Sequence, residues 1–114
     1  MGTKIYNKTV TALADGGTDT KTIQTNEDFE LKEISFNNHE NNSSDAVFFR
    51  MSLSDKDWSD GNFTPLKNLK NSENNAFKLP SSIVIPAKTT VTIEILNSSG
   101  ASLTMYYSLI GVIK

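Results

Sequence analysis

Cysteine is absent from the 114-residue sequence, and histidine occurs only once. The absence of cysteine excludes a disulfide framework, a cysteine-ligated zinc site and thiol catalysis, and a single histidine excludes a site built from several histidines. Charge is scarce and balanced, with 11 basic and 13 acidic residues and a net charge of -2. A nucleic-acid-binding domain usually carries a basic excess on one face, so no nucleic-acid partner is expected.

Long apolar runs are also missing. No stretch approaches the ~20 residues of a membrane-spanning helix, so no membrane partner is expected. The first residues lack the apolar segment of a signal peptide, which favours a cytosolic origin. Glycine-rich phosphate loops and dinucleotide-binding fingerprints are absent as well. We therefore expect a protein that is not an enzyme and uses no cofactor.

Uncharged polar residues dominate what is present: 12 Asn, 13 Ser and 12 Thr. Asn and Ser compete with the backbone for hydrogen bonds and disfavour helix interiors, whereas Thr, Val and Ile suit a pleated sheet. About seven or eight short segments alternate between apolar and polar residues, with turn signals every ~8–12 residues. This pattern predicts one all-β domain, a sandwich or a barrel.

One predicted strand departs from simple alternation. In the segment from Phe29 to Phe36, the large apolar residues Phe29 and Leu31 occupy odd-numbered positions, whereas Ile34 and Phe36 occupy even-numbered positions. A regular strand would send these two pairs to opposite faces. A bulge near residues 32–33 would bring all four onto one face, so the sequence predicts a bulge there.

The last predicted strand, residues 103–113, has apolar residues on both sides and is expected to be covered on both faces. A short helix is predicted at 65–70, with Thr64 as its cap and Pro65 in its first turn. Residues 54–64 are predicted as a loop. Other strands are predicted at residues 4–13, 18–25, 46–53, 77–80, 82–85 and 89–96, with the two strands at 77–85 ended by proline.

The first 28 residues are predicted to form a strand or an arm that contacts a partner, and residues 29–114 the core of the single domain. The arm interpretation rests on residues 18–25, where four threonines accompany one large apolar residue, Ile23. A segment of this kind has little to bury within its own chain.

Two polar segments contain residues that could form a site. Asp55, Asp57 and Asp60 precede Gly61, but their spacing fails the pattern of a helix–loop–helix calcium site, so an Asp-Gly turn is favoured and no metal is expected. His39 lies near serines in a polar loop, yet nothing in the sequence orients it as a catalytic base, so an exposed loop histidine is favoured.

The residues from Phe77 to Ser99, followed by the strand 103–113 with Gly111, carry a family resemblance. They read as a Leu-Pro strand end, an apolar-Pro turn, an alternating strand ending in an acidic residue and Asn, and a last strand with Leu-x-Gly. This order of strand endings resembles small β-sandwich virion proteins of tailed bacteriophages.

The resemblance implies a jelly-roll-like capsid auxiliary or decoration protein that cements neighbouring subunits in the virion. It would be assembled in the host bacterial cytoplasm, with the major capsid protein or other virion proteins as partners, and as a homo-oligomer, often a trimer. The alternative is a carbohydrate- or receptor-binding sandwich, assisted by calcium, that uses Trp58, Phe63 and residues 55–60. Trp58 is the best aromatic anchor, unless it folds back as a lid on the core. The contact candidates are Thr18, Thr20, Thr22, Ile23, Phe48, Arg50, Trp58 and Phe63.

Overall fold

A computed structural model describes residues 2–38, 46–53, 56–57, 63–65 and 76–113 of the chain. These residues form strands that assemble into two antiparallel sheets, which confirms the all-β prediction. The strands are β1 (Thr3–Leu13), β2 (Thr18–Gln24), β3 (Phe29–Asn38), β4 (Val47–Leu53), β5 (Lys56–Asp57), β6 (Thr64–Pro65), β7 (Ala76–Ile85), β8 (Thr90–Asn97) and β9 (Leu103–Ile113).

The strand order is that of a jelly roll. Sheet A has the order β1-β9-β3-β7, and sheet B has the order β2-β8-β4, with β5 and β6 both pairing with β4. The pairs β1·β9, β2·β8, β3·β7 and β4·β6 are nested like the two arms of one long hairpin. The pairs β3·β9 and β4·β8 roll that hairpin into two sheets, which gives the predicted jelly-roll-like sandwich.

The core lies between the two sheets. Alternate residues along each strand face inward, as the period of two in the sequence requires. A T-shaped contact joins Phe36 of sheet A to Phe49 of sheet B, with ring centroids 5.4 Å apart. The buried apolar residues are Val10, Ile23, Phe29, Leu31, Ile34, Phe36, Val47, Phe49, Met51, Ile85, Val91, Ile93, Ile95, Leu103, Met105, Tyr107 and Leu109.

The bulge predicted in β3 is confirmed. The register of β3 shifts between Leu31 and Glu33 against both of its neighbours, β7 and β9. As a result Phe29, Leu31, Ile34 and Phe36 all reach the core. The extra residue resolves the conflict of parity that the sequence showed.

Gly111 lies in β9 directly opposite Leu31, next to this bulge. A Cβ atom placed on Gly111 would lie 2.0 Å from the carbonyl oxygen of Glu30 and 2.9 Å from the Phe29 ring. Strand β3 therefore passes so close to β9 that only glycine fits at this position.

Three sequence predictions need correction. The segments 77–80 and 82–85 form one strand, β7, which continues through Pro80 because β7 is at the edge of sheet A, where a missing N–H is tolerated. The predicted loop 54–64 contains strand residues. Thr64 and Pro65 pair with Phe49 and Phe48 as part of β6 and do not start a helix, and residues 66–70 lie outside the described residues.

Asn97 joins the turns at one end of the sandwich. Its side chain is fully buried, and its Nδ2 donates to the carbonyl oxygens of Leu13 (2.9 Å) and Ala101 (2.8 Å). Its Oδ1 accepts hydrogen bonds from the backbone N and the Oγ of Ser99. Its backbone pairs with the turn before β2, through Gly16 and Gly17.

Thr25 has the same role at the other end of β2. This residue is 1% exposed, and its Oγ1 donates to the carbonyl oxygen of Pro86 at 2.7 Å and accepts from the backbone N of Thr89 at 3.0 Å. Its backbone N and O bond to Thr89 and Lys88. Buried polar groups that are fully bonded fix local geometry, so strand β2 is anchored at both ends.

Candidate interaction surface

The outer face of sheet B brings most of the predicted contact residues together. Cross-strand register aligns Thr18 with Leu96, Phe48 and Pro65 in one row, and Thr20 with Glu94 and Arg50 in the next. A third row aligns Thr22 with Thr92 and Ser52. We call this set, together with Phe63, the sheet B surface.

Arg50 lies at the centre of the sheet B surface. Its Nη2 and Nε lie 2.7 and 2.9 Å from the same oxygen of Glu94, Oε1. Its guanidinium carbon lies 4.3 Å from the centroid of the Phe63 ring, in a cation–π contact. The side chains of Arg50 and Glu94 are 30% and 24% exposed, so the cation is held in one orientation yet still reaches solvent.

Apolar side chains flank this charged pair. Phe48 and Leu96 are direct cross-strand neighbours, and each is partly exposed. Pro65 of β6 extends the same row beyond Phe48. An apolar row beside an oriented arginine is the composition that protein interfaces favour, because aromatic residues and arginine contribute most to binding.

Strand β2 forms the edge of the sheet B surface. Thr18, Thr20 and Thr22 are exposed, as the prediction of contact residues requires. Ile23 is a correction: it has the opposite parity, packs in the core and is 4% exposed, so it is not available to a partner. The segment 18–25 therefore forms an edge strand of the sandwich, and a partner contact by residues 1–28 stays a prediction.

The inner side of β2 carries a polar cluster. Asp19 and Lys21 face inward and form an ion pair of 2.9 Å. The Tyr107 hydroxyl and Asp19 Oδ2 are buried, and neither has a hydrogen-bond partner among the described residues. Burial, and secondarily the Asp19 charge, raises the pKa of Tyr107 well above its usual value.

The remaining site candidates are not tested by the structure. Trp58, His39, Asp55 and Asp60 lie outside the described residues, as does the side chain of Asp57. Within the part of the chain that the structure describes, no three His, Cys, Asp or Glu side chains are grouped as metal ligands. In that same part, no helix has the length and hydrophobicity that crossing a membrane requires.

A shallow depression of about 400 Å³ lies on the other side of the sandwich. It is located where β3 bulges against β7, and Glu30 beside it pairs with Lys32 at 3.6 Å and accepts a hydrogen bond from Ser82. The depression contains none of the predicted site residues. Its lining residues are Lys32, Glu33, Lys78, Leu79 and Ser82.

Sequence reasoning missed Glu94 and Leu96 as members of the sheet B surface. Both lie on the outward side of β8, which the alternation of residues 89–96 indicates for Glu94. Their neighbours are set by the register between β8 and β4, and Arg50 and Glu94 are 44 positions apart in the chain. No local signal in the sequence joins residues that are so distant.

Comparisons with known proteins give fold likeness only. No protein-family model and no curated protein matches the chain. Among solved structures, the Drosophila NLP core, described in terms of pentamer formation and histone binding, is 18% identical over 95% of this chain and 97% of that one, with a TM-score of 0.47.

Two further structures illustrate the range of this likeness. An exo-β-1,3-galactanase from Phanerochaete chrysosporium is 13% identical over 98% of this chain but only 30% of that one, with a TM-score of 0.43. Desmodium yellow mottle tymovirus is 7% identical over 99% of this chain and 90% of that one, with a TM-score of 0.32. The matches therefore include a virus structure and a carbohydrate-active enzyme, and they assign no function to the chain.

Proposed function

We propose that the chain is a structural virion protein of a tailed bacteriophage. In this proposal it is a capsid auxiliary or decoration protein that binds neighbouring capsid subunits through the sheet B surface. It acts by binding and not by catalysis, and it is assembled into the virion in the bacterial cytoplasm. The observation that carries the proposal is the convergence of Phe48, Arg50, Phe63 and the β2 threonines on one face.

The geometry of Arg50 supports binding at this face. Arginine normally loses side-chain freedom when it enters an interface, which weakens binding by about 0.5–1.5 kcal/mol. Glu94 and Phe63 already restrict the guanidinium before a partner arrives. A restrained arginine beside Phe48 and Leu96 has the features of an interface hot spot.

The rigidity of strand β2 supports the same conclusion. Asn97 and Thr25 fix the two ends of the strand. The exposed hydroxyls of Thr18, Thr20 and Thr22 are therefore presented at a constant spacing of two residues, about 6.8 Å. A net charge of -2 also keeps repulsion small when many copies crowd onto one particle.

The first test is the protein content of purified particles from the phage that encodes this chain. Quantitative mass spectrometry should find the chain at a copy number comparable to that of the capsid subunits. Its absence from washed particles would refute the proposal.

The second test locates the binding face. Particles that lack the chain are mixed with purified wild type, Phe48→Ser, Arg50→Gln or Lys88→Gln, and bound protein is measured after sedimentation. Lys88 is exposed in a turn outside the sheet B surface, so Lys88→Gln matches the charge change of Arg50→Gln. We expect the two surface variants to bind at least ~10-fold more weakly than the wild type, and the Lys88→Gln control to bind as tightly as the wild type.

Equal binding by all four proteins would contradict the assignment of the surface. A glycan array addresses the alternative of a carbohydrate-binding module. A sugar that binds the wild type but not a Trp58→Ala or Phe63→Ala variant would favour that alternative over the virion role.

A further inference from the structure

The outer face of sheet A carries several apolar side chains that the described residues leave partly exposed. Ile5, Val84 and Tyr106 are 48%, 53% and 51% exposed, although all three belong to strands. Ile110 and Val112, both partly exposed, lie between them: Ile5 pairs directly with Ile110, and Val112 is two residues further along β9. Ile5, Ile110 and Val112 are direct neighbours, whereas Ser108 separates Tyr106 from Ile110 and Glu30 separates Val84 from Val112. Single exposed apolar residues are normal on protein surfaces, but here five of them share one face of a sheet.

Strand β9 shows that this face is built to be covered. Its inward residues, including Met105, Tyr107 and Leu109, are buried by sheet B. Its outward residues include Tyr106, Ile110 and Val112, so the strand is apolar on both sides. A strand of this kind is typical of a sheet covered on both faces, and among the described residues only the inner face of sheet A is covered.

We propose that a second copy of this chain covers the outer face of sheet A and forms a two-fold symmetric dimer. This proposal does not depend on the proposed function, because it concerns the face opposite the sheet B surface. It leaves the sheet B surface of both copies free for a different partner.

The size of the face fits this occupant. Strand β9 has 11 residues and is therefore about 36 Å long, and four strands side by side span about 19 Å. The flat area of the face is therefore about 700 Å², without the additional surface of its protruding side chains. This is close to the ~800 Å² that each partner contributes to a standard interface.

The charges on the face also fit a second copy. The β3–β7 half carries Glu30, Glu33, Lys32 and Lys78, two acids and two bases, and the β1–β9 half carries most of the exposed apolar side chains. If the two-fold axis lies in the plane of the interface and perpendicular to the strands, each half of the face packs against the same half of the second copy's face. The apolar halves then meet, and the charged halves meet without net charge.

Symmetry also decides the number of copies. When a face packs against the same face of a second copy, both faces are fully occupied and no third copy can bind there. A trimer instead requires contact between two different surfaces of the chain. The sheet A face therefore supports a dimer, in contrast to the trimer that the family resemblance implied.

The first experiment measures mass in solution by light scattering over a range of concentrations. The wild type should have about twice the 12.6 kDa mass of the chain. The double variant Ile5→Lys/Tyr106→Lys places charges in the contact and should raise the dissociation constant at least ~100-fold. Both positions are about half exposed, so the monomer tolerates lysine, which circular dichroism verifies.

The matched control is Thr20→Lys/Thr92→Lys, which adds two lysines to the sheet B surface and should leave the dimer intact. A monomeric wild type, a trimer, or a dimer that persists in the folded Ile5→Lys/Tyr106→Lys variant would overturn the proposal. Because the Ile5→Lys/Tyr106→Lys variant leaves the sheet B surface unchanged, the outcome is separable from that of the particle-binding test.

A second experiment uses the absence of cysteine from the chain. Ser108 is central on the outward side of β9, and Thr92 is central on the outward side of β8. With a short bis-maleimide, Ser108→Cys should give a covalent dimer and Thr92→Cys should not. Cross-linking at Thr92→Cys alone, or at neither position, would overturn the proposed contact.

Discussion

Replacing Asn97 by alanine should destabilise the fold more than any other change of a single polar side chain in a turn. The fully buried amide makes four side-chain hydrogen bonds, two as donor to Leu13 and Ala101 and two as acceptor from Ser99. A neutral hydrogen bond contributes about 0.5–1.5 kcal/mol, and some of the freed groups regain water. We therefore expect the free energy of unfolding to fall by about 2–4 kcal/mol.

Asn97→Asp tests the direction of these bonds. The carboxylate would place an acceptor against the carbonyl oxygens of Leu13 and Ala101, where the amide now donates at 2.9 and 2.8 Å. Two attractive contacts would become repulsive, and a charge would be buried. At neutral pH this variant should be less stable than Asn97→Ala, although aspartate has nearly the shape of asparagine.

Urea unfolding followed by far-ultraviolet circular dichroism measures both effects. Asn7→Ala is the control, because Asn7 is exposed and accepts one hydrogen bond, from Ser108; its effect should stay within about 0.5 kcal/mol. The reasoning fails if Asn97→Ala is as mild as Asn7→Ala, or if Asn97→Asp is as stable as Asn97→Ala. Hydrogen exchange should also show faster opening of β2 in both Asn97 variants.

Three further changes are predicted. Gly111→Ala should cost about 3 kcal/mol or more in urea unfolding, because the new Cβ would lie 2.0 Å from the Glu30 carbonyl oxygen, whereas Gly100→Ala, at a φ of +84° in open space, should cost only about 1 kcal/mol. Thr25→Val, which keeps the shape but loses the buried hydroxyl, should lower the unfolding free energy by about 1–3 kcal/mol in the same assay. Because the pKa of Tyr107 is raised in the folded state, the unfolded chain releases this proton first, and wild-type stability should fall as the pH rises above about 10. Tyr107→Phe should reduce that alkaline fall and, at neutral pH, match or exceed wild-type stability, since it removes a buried hydroxyl that has no partner among the described residues; an unchanged alkaline fall would contradict this account.

The features that the sequence predicts well are those with a local cause. Residues 89–96 are predicted as a strand, and their alternation favours one buried side; the structure buries Val91, Ile93 and Ile95. The break of parity between Leu31 and Ile34 required a bulge, because four large apolar side chains could not otherwise share a face. Such signals depend on neighbours within a few residues, and burial enforces them.

The predictions that failed depend on distant partners. Thr64 and Pro65 have the residue types of a helix start, but pairing with β4 decides their conformation. Pro80 is a typical strand terminator, yet at a sheet edge its missing donor has no ladder partner to lose. The burial of Asn97 likewise depends on a turn that is 84 positions away in sequence, where its amide donates to the carbonyl oxygen of Leu13.

The candidate surface also combines features with a local cause and features that depend on distant residues. Alternation alone turned Phe48 and Arg50 outward, and the structure agrees. It could not show that Glu94 holds Arg50 or that Leu96 extends the apolar row, since both depend on register between β4 and β8. Ile23 was proposed as a contact because its segment is so polar, although a single apolar residue of the right parity is enough to anchor an edge strand to the core.

The nested pairing of strands has a consequence for synthesis. Because β1 pairs with β9, and β9 also separates β1 from β3, sheet A has no continuous interior until the last strand has left the ribosome. We expect a nascent chain that ends before Leu103 to remain sensitive to protease, and a chain with β9 available for pairing to become resistant within milliseconds to seconds, as folds dominated by non-local pairing do. We then expect chaperones to contact β1 and β3 during translation, because β9 is the neighbour that both of these strands require.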